Sequence, residues 1–128
     1  MKRLKILSMI AVFIVFVFPG CRTLDIKDPR VVIIDDGLRI GLSVTDIKTT
    51  PHYGGFMEVQ VTGKNHMSVY KKLEYRIEWL NQNGMLIPSV MSGWTGFPAY
   101  QNTEFRFKAV APAMSAQDFR IIIREKKN

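Results

Sequence analysis

Residues 71–80, KKLEYRIEWL, alternate apolar with charged side chains. Successive side chains of a β-strand point to opposite faces, so this pattern is typical of a strand with one face on a core and the other in water. The same period of two recurs from Val31 onward, in short segments separated by Gly, Pro and Asn clusters. About seven strands at even spacing predict an all-β fold, an immunoglobulin-like antiparallel β-sandwich. The predicted strands are VVIID, LRIGLSVTDI, FMEVQVTG, KKLEYRIEWL, MLIP, TEFRFKAV and DFRIIIRE.

The connections between these strands contain turn-forming residues. Asp36 and Gly37 predict a reversal between the first two strands, and Asn83 with Gly84 predicts a hairpin into MLIP, because such residues tolerate the backbone angles of tight turns. The segment APAMSAQ has room for a single helical turn. On the second strand, the inner face is expected to carry Leu38, Ile40, Leu42 and Val44. On later strands, it is expected to carry Met57, Val59, Val61, Leu73, Tyr75, Ile77, Trp79, Phe105, Phe107, Ala109, Phe119, Ile121 and Ile123.

The N-terminal segment differs in composition from the rest of the chain. Basic MKRLK precedes an apolar run from Ile6 to Phe18, and Pro-Gly-Cys follows. A membrane-spanning helix needs about 20 apolar residues, so this shorter run is typical of a secretory signal peptide. The remaining length suffices for one domain. We predict a signal peptide over residues 1–20, a lipidated N-terminus and tether over residues 21–29, and a β-sandwich domain over residues 30–128.

The stretch FVFPGC resembles the lipobox of bacterial lipoproteins, in which a cysteine follows a small residue directly after the apolar segment. The resemblance implies that the thiol of Cys21 becomes a thioether to diacylglycerol and that the new amino terminus is acylated, for example with palmitate. Residue 22 is Arg, not the Asp that favours inner-membrane retention in that class, which implies the periplasmic face of the outer membrane. Two or more acyl chains hold a protein firmly, since each buried methylene contributes about 0.8 kcal/mol.

The domain resembles the YcfL-type family of small bacterial envelope lipoproteins. The resemblance is carried by LEYRIEWLNQNG, by Trp94 after it, and by FKAVAPAMSAQDFRIIIRE, and it extends over about residues 31–125. It implies an immunoglobulin-like sandwich in a periplasmic lipoprotein. It implies no reaction and no catalytic residues.

Motifs in the domain give no indication of catalysis. His52 and His66 lie in turn-rich segments, and Asp35 with Asp36 precedes a glycine, where carboxylates are typical of turns. No strained Gly-flanked serine elbow, phosphate loop or metal-ligand spacing is present in the sequence. The chain has 18 Lys and Arg against 11 Asp and Glu, but the basic residues form no stripe. We therefore expect no enzymatic activity, no cofactor or metal, and no nucleic-acid partner.

Two groups of residues are candidates for a binding surface. The first is the segment MSGWTGFPAYQ, which is expected to be a loop whose aromatic residues either cap the core or contact a partner; Trp94 is expected to be buried, and Phe97 or Tyr100 exposed. The second is a set of outward cations that forms one positive face for anionic surfaces if their strands pair, unless Glu74, Glu78 and Glu104 neutralise it. The first group consists of Met91, Trp94, Phe97 and Tyr100. The second, cationic group consists of Arg76, Arg106, Lys108, Arg120 and Arg124.

An anchored sandwich without catalytic groups predicts a binding or scaffolding module for an envelope protein at the outer membrane. Two alternatives remain open. An enzyme acting on cell-envelope polymers requires a concave site with convergent polar groups, and a carrier of an apolar ligand requires an unfilled space between the sheets.

Overall fold

A computed structural model of the chain describes residues 28–51, 54–90 and 93–127. The predicted signal peptide, Cys21 and most of the tether lie outside these ranges, as do His52 and Met91. Within them, no helix has the length and apolar character needed to cross a bilayer. The strands are β1 Val31–Ile33, β2 Leu42–Pro51, β3 Met57–Asn65, β4 Lys71–Leu80, β5 Thr95–Ala99, β6 Glu104–Val110 and β7 Asp118–Glu125, with the short helix α1 Asp36–Gly41.

The strands form a β-sandwich, which confirms the predicted fold class. One sheet has the order β1-β7-β4-β5 and the other the order β2-β3-β6. Neighbouring strands are antiparallel except β1, which pairs with β7 in parallel. An immunoglobulin constant domain also divides seven strands into four and three, but it connects them in a different order.

The period-two pattern of β4 produces the core, as predicted. Leu73, Ile77 and Trp79 are buried on its inner face, and the inward residues of β7, with Ile121 and Ile123 among them, are buried beside them. Rings fill the space between the two sheets, because Tyr75 of β4 stacks on Phe107 of β6 with 4.0 Å between ring centroids. This aromatic packing joins the sheets at the middle of the sandwich.

The predicted reversal at Asp36-Gly37 is wrong, and the strand expected from Leu38 begins only at Leu42, from where Leu42 and Val44 are buried as predicted. The segment forms helix α1, whose first turn is closed by hydrogen bonds from the N–H groups of Leu38 and Arg39 to the Asp35 carbonyl. Leu38 is 2% exposed and Ile40 is 90% exposed, so the two do not share a face. The helix is needed because β1 and β2 lie in different sheets, and a tight hairpin would place them side by side in one sheet.

The expected strand MLIP and the expected loop at residues 91–101 are also corrected. The turn at Asn83-Gly84 forms, with φ of 75° at Gly84, but MLIP contributes only a single bridge between Leu80 and Leu86. Thr95–Ala99, within the expected loop, is instead the strand β5. Pro98 is tolerated there because β5 is an edge strand, where a missing N–H can face solvent.

The two ends of the sandwich have distinct loops. The near end, where the N-terminal segment joins the domain, consists of residues 28–30, 54–56, 81–87 and 111–117; its last loop holds a turn closed by Ala116 N–H to the Ala113 carbonyl and lacks the predicted helical turn. The far end consists of α1 and residues 66–70 and 100–103. The parallel pairing of β1 with β7 fixes this polarity, because it places Arg30 beside the start of β7.

Candidate functional site

The structure separates the three aromatic residues proposed from the sequence. Phe97 is buried in the core, with its ring centroid 4.9 Å from that of Phe107, so its predicted exposure and its role in partner contact are wrong. Trp94 is half-buried on the outer face of the four-stranded sheet and does not cap the core. Tyr100 is exposed at the far end, as expected.

Trp94 lies among the side chains of β4 and β7. The Arg124 guanidinium carbon is 3.6 Å from the Trp94 ring centroid, and that of Arg76 is 5.7 Å from it. Arg124 is fixed in turn, because its Nε donates a 2.6 Å hydrogen bond to Glu74. A cation held over an indole and paired with a carboxylate is largely satisfied within the domain, so this cluster stabilises the outer face of the sheet.

The five cations do not form one face, because the strand pairing that this required is absent among the described strands. Arg76, Arg120 and Arg124 lie on the four-stranded sheet, whereas the other two members lie on β6 of the opposite sheet. Carboxylates neutralise cations on both sheets, as the alternating Glu residues indicate. The ion pairs are Arg76–Glu78 at 3.2 Å, Arg124–Glu74 at 2.6 Å, Arg106–Glu104 at 3.3 Å and Lys108–Glu58 at 3.5 Å, and Arg120 is exposed opposite Glu78.

The far end carries a pair of exposed tyrosines. The ring centroids of Tyr70 and Tyr100 are 5.1 Å apart, and the residues are 42% and 58% exposed. Val69, also exposed, extends the apolar surface. Sequence reasoning missed Tyr70 and Val69. Tyr70 immediately precedes β4 and Tyr100 immediately follows β5, so the register Lys71–Ala99 of these paired strands would have indicated their contact.

A buried amide holds the two loops that carry these tyrosines. Asn65 is fully buried, and its side-chain nitrogen donates to the carbonyls of Val69 and Ala99, each at 3.1 Å. Its side-chain oxygen accepts from the Met67 N–H at 2.9 Å. A further bond from Asn102 N–H to the Met67 carbonyl joins the loops directly. The tyrosine pair is therefore mounted on a rigid support, which lowers the entropic cost of binding.

The polar residues considered for chemistry have structural partners. Ser43 Oγ and His66 Nε2 share a 2.6 Å hydrogen bond, but Ser43 is buried, so its hydroxyl does not face a cleft. Asp35 accepts from the Glu125 N–H at 2.7 Å, and Asp36 pairs with Arg39 at 2.9 Å. Among the described residues, no three His, Cys, Asp or Glu side chains are grouped closely enough to hold a metal ion.

The comparisons with known proteins agree on the fold. A family model with the description "Protein of unknown function (DUF1425)" matches residues 29–125. The crystal structure of Campylobacter jejuni cj0090 is similar with a TM-score of 0.61 and 19% identity, covering 77% of this chain and 100% of that chain. A DUF1425 family member from Shewanella sp. pv-4 is similar with a TM-score of 0.61 and 18% identity, covering 68% and 80%. No curated protein matches the chain.

Proposed function

We propose a function for this chain, which belongs to the DUF1425 family. It is a lipoprotein of the outer membrane that serves as a non-enzymatic binding or scaffolding module for an envelope protein. The lipobox-like FVFPGC and the resemblance of the domain to YcfL-type envelope lipoproteins support this proposal. The lipid is attached to Cys21, on the periplasmic face of the membrane, and the sandwich projects from it.

The partner binds at the far end. The exposed Tyr70–Tyr100 pair is the observation that carries this proposal, because it is an apolar surface on a support fixed by buried Asn65. Tyrosine is enriched among the residues that dominate binding energy, since it buries a large area and loses little side-chain entropy. The far end also lies opposite the point where the N-terminal segment joins the domain, so a membrane-held sandwich presents it to the periplasm.

Site-specific photo-crosslinking in cells tests the partner site. A benzophenone amino acid replaces Gln101 beside Tyr100, and a matched control replaces Gln117 at the near end; both positions are exposed. We expect a discrete adduct with one envelope protein from position 101, absent from position 117. In the Tyr70→Ser, Tyr100→Ser double variant the adduct is expected to fall at least about tenfold, since two central aromatic residues are worth several kcal/mol. An adduct of unchanged yield in that variant contradicts the proposed site.

The anchor is tested separately, through Cys21. The full chain is expected to yield a processed N-terminal peptide whose mass includes diacylglycerol and an acyl chain. The Cys21→Ser variant is expected to leave the membrane fraction. A serine variant that is processed normally and stays in the outer membrane contradicts lipid attachment, whatever the crosslinking result.

A further inference from the structure

We propose that the near end of the sandwich rests on the lipid headgroups of the leaflet that holds the anchor, so that the domain has a fixed orientation and does not tumble on its tether. This inference rests on the proposed lipid at Cys21 and adds a second membrane contact, made by the folded domain itself. The near end contacts the phospholipid surface through Met85, Leu86 and Met114.

Three of the near-end loops are uncharged and expose large apolar side chains. Residues 54–56, 81–87 and 111–117 contain no Asp, Glu, Lys or Arg, although the chain has 29 such residues in all, 18 basic and 11 acidic. Met85, Leu86 and Met114 are 64%, 59% and 66% exposed. A soluble surface is normally covered by interspersed charges, whereas unbranched and branched apolar side chains on neutral loops suit the boundary between headgroups and acyl chains.

The loops 81–87 and 111–117 begin and end at neighbouring points of the four-stranded sheet. Gln117 N–H donates to the Leu80 carbonyl at 2.9 Å, which joins the start of one loop to the end of the other. Leu86 forms a bridge with Leu80, and the Met85 carbonyl accepts from the Asn81 N–H, so both side chains lie at the end of β4, at the same end of the sandwich as the loop of Met114. Single exposed apolar residues need no explanation, whereas three on neutral loops at one end of the sandwich suit contact with a common apolar layer.

The N-terminal segment joins the domain at this same end. Arg30 is 3.8 Å from Asp118 and its guanidinium carbon is 4.5 Å from the Phe119 ring centroid, both at the start of β7. Only residues 22–27 separate Cys21 from Asp28, and seven chain steps span at most about 25 Å. An anchored Cys21 therefore keeps the near end close to the leaflet.

The short tether makes a weak contact sufficient. Once the lipid anchor is inserted, the loops and the membrane surface are held together by the tether. The loops therefore experience a high effective concentration of lipid headgroups. Insertion of apolar side chains by about 5–10 Å reaches the boundary of the acyl chains without burying any backbone in hydrocarbon. Near this surface Asp28 and Arg30 form a 2.7 Å ion pair and Asp118 lies 3.8 Å from Arg30, so the three side chains carry no net positive charge. Docking therefore does not require anionic lipid.

Lipid contact can be read from quenching of a fluorophore on the loops. In the full chain Cys21 is the only cysteine, and the lipid consumes its thiol, so an introduced cysteine is the sole labelling site. Met114→Cys and Met85→Cys report the near end, and Ile40→Cys on α1 is the matched control at the far end. Each variant is expressed in cells, labelled with bimane and reconstituted into phosphatidylethanolamine and phosphatidylglycerol vesicles that carry bromine on their acyl chains.

We expect quenching at positions 114 and 85 to exceed that at position 40 by at least about twofold, because bromine quenches only on close approach. Equal quenching at the two ends, or greater quenching at position 40, overturns the proposed orientation. The mass of the N-terminal peptide from the same vesicles separates the two proposals. A lipidated Cys21 with equal quenching overturns the orientation alone, whereas an unmodified Cys21 overturns both.

Discussion

The near end and the far end of the sandwich are built by the same two sheets but expose different side chains. The far end combines charged side chains, such as the exposed Asp36–Arg39 pair, with two tyrosines on a rigid support. At the near end the loops 54–56, 81–87 and 111–117 carry no charge and present methionine and leucine, and the charged side chains there are those of the Asp28–Arg30 pair. One end has the properties of a protein-binding surface and the other those of a surface that meets lipid.

The loops of the far end are also held more firmly than those of the near end. At the far end the organising amide, Asn65, is fully buried and joins two loops. At the near end the corresponding residue is half-buried Asn81, whose side-chain oxygen accepts from the N–H groups of Asn83 and Met85 in its own turn. A protein partner selects a pre-formed surface, whereas a fluid bilayer adapts to a locally folded loop.

The largest expected effect is the difference in stability between alanine variants of Phe97, within β5, and Tyr100, directly after it. Phe97→Ala should lower the free energy of unfolding by about 4 kcal/mol, because it opens a cavity between the sheets. Tyr100→Ala should change it by less than about 0.5 kcal/mol, because Tyr100 is exposed. Urea denaturation of both variants measures the difference. Similar losses in the two would show that Tyr100 belongs to the core and not to the far-end surface.

The next largest effect compares the two organising asparagines. Asn65→Ala leaves the carbonyls of Val69 and Ala99 and the Met67 N–H without their partner, and it should lower the free energy of unfolding by about 3 kcal/mol. Asn81→Ala removes hydrogen bonds from a solvated turn and should cost about 1 kcal/mol or less. Thermal unfolding with matched denaturant curves gives both values. If Asn81→Ala is the more damaging, the far end is not the more rigid of the two.

The smallest effect concerns an ion pair at each end and depends on pH. Hydrogen bonds from the Arg30 guanidinium, opposed in part by burial, hold the pKa of Asp28 below its ordinary value. Because the folded pKa lies below the unfolded one, the stabilisation is fully present above the unfolded pKa of about 3.9 and is lost as the pH falls through the folded pKa. Asp28→Asn should therefore cost up to about 1 kcal/mol at neutral pH and progressively less in acid.

The matched change at the far end is Asp36→Asn, which removes an exposed pair with Arg39. This change should lower the free energy of unfolding by about 0.3 kcal/mol. Unfolding curves at several pH values between 2 and 7 compare the variants with the unchanged chain. A constant cost of Asp28→Asn across that range would contradict the role given to the Arg30 contact.

The sequence predicted the strands that alternate cleanly. In β4 and β7 each inward position is apolar and each neighbour is polar or partly exposed, so periodicity alone determined which residues form the core. It failed at α1, where Leu38 and Ile40 imitate a strand over too few residues to distinguish a period of two from a helical turn. It also failed at β5, where Gly96 and Pro98 indicate a loop unless the segment is known to be an edge strand.

The candidate surfaces were harder to predict, because they depend on register and sheet assignment. Tyr100 was identified, but Tyr70 required knowing that Lys71 lies opposite Ala99. The cations form one face only if their strands pair, and the separation of β6 from β4 and β7 into different sheets shows that they do not. The neutral near end required knowing that two distant loops meet through Gln117 and Leu80. Sequence periodicity specifies which face a residue occupies and does not specify its neighbours across strands.

The height of the two ends above the bilayer is the most direct measure of this polarity. Energy transfer from a dye at Met114→Cys or Ile40→Cys to acceptors in the leaflet gives both heights in the full, lipidated chain. β4 is 10 residues long, so at about 3.3 Å per residue the ends should differ by about 30 Å, with position 114 close to the headgroups. Equal heights, or position 40 nearer the lipid, would contradict a domain that contacts the membrane with one end and a protein with the other.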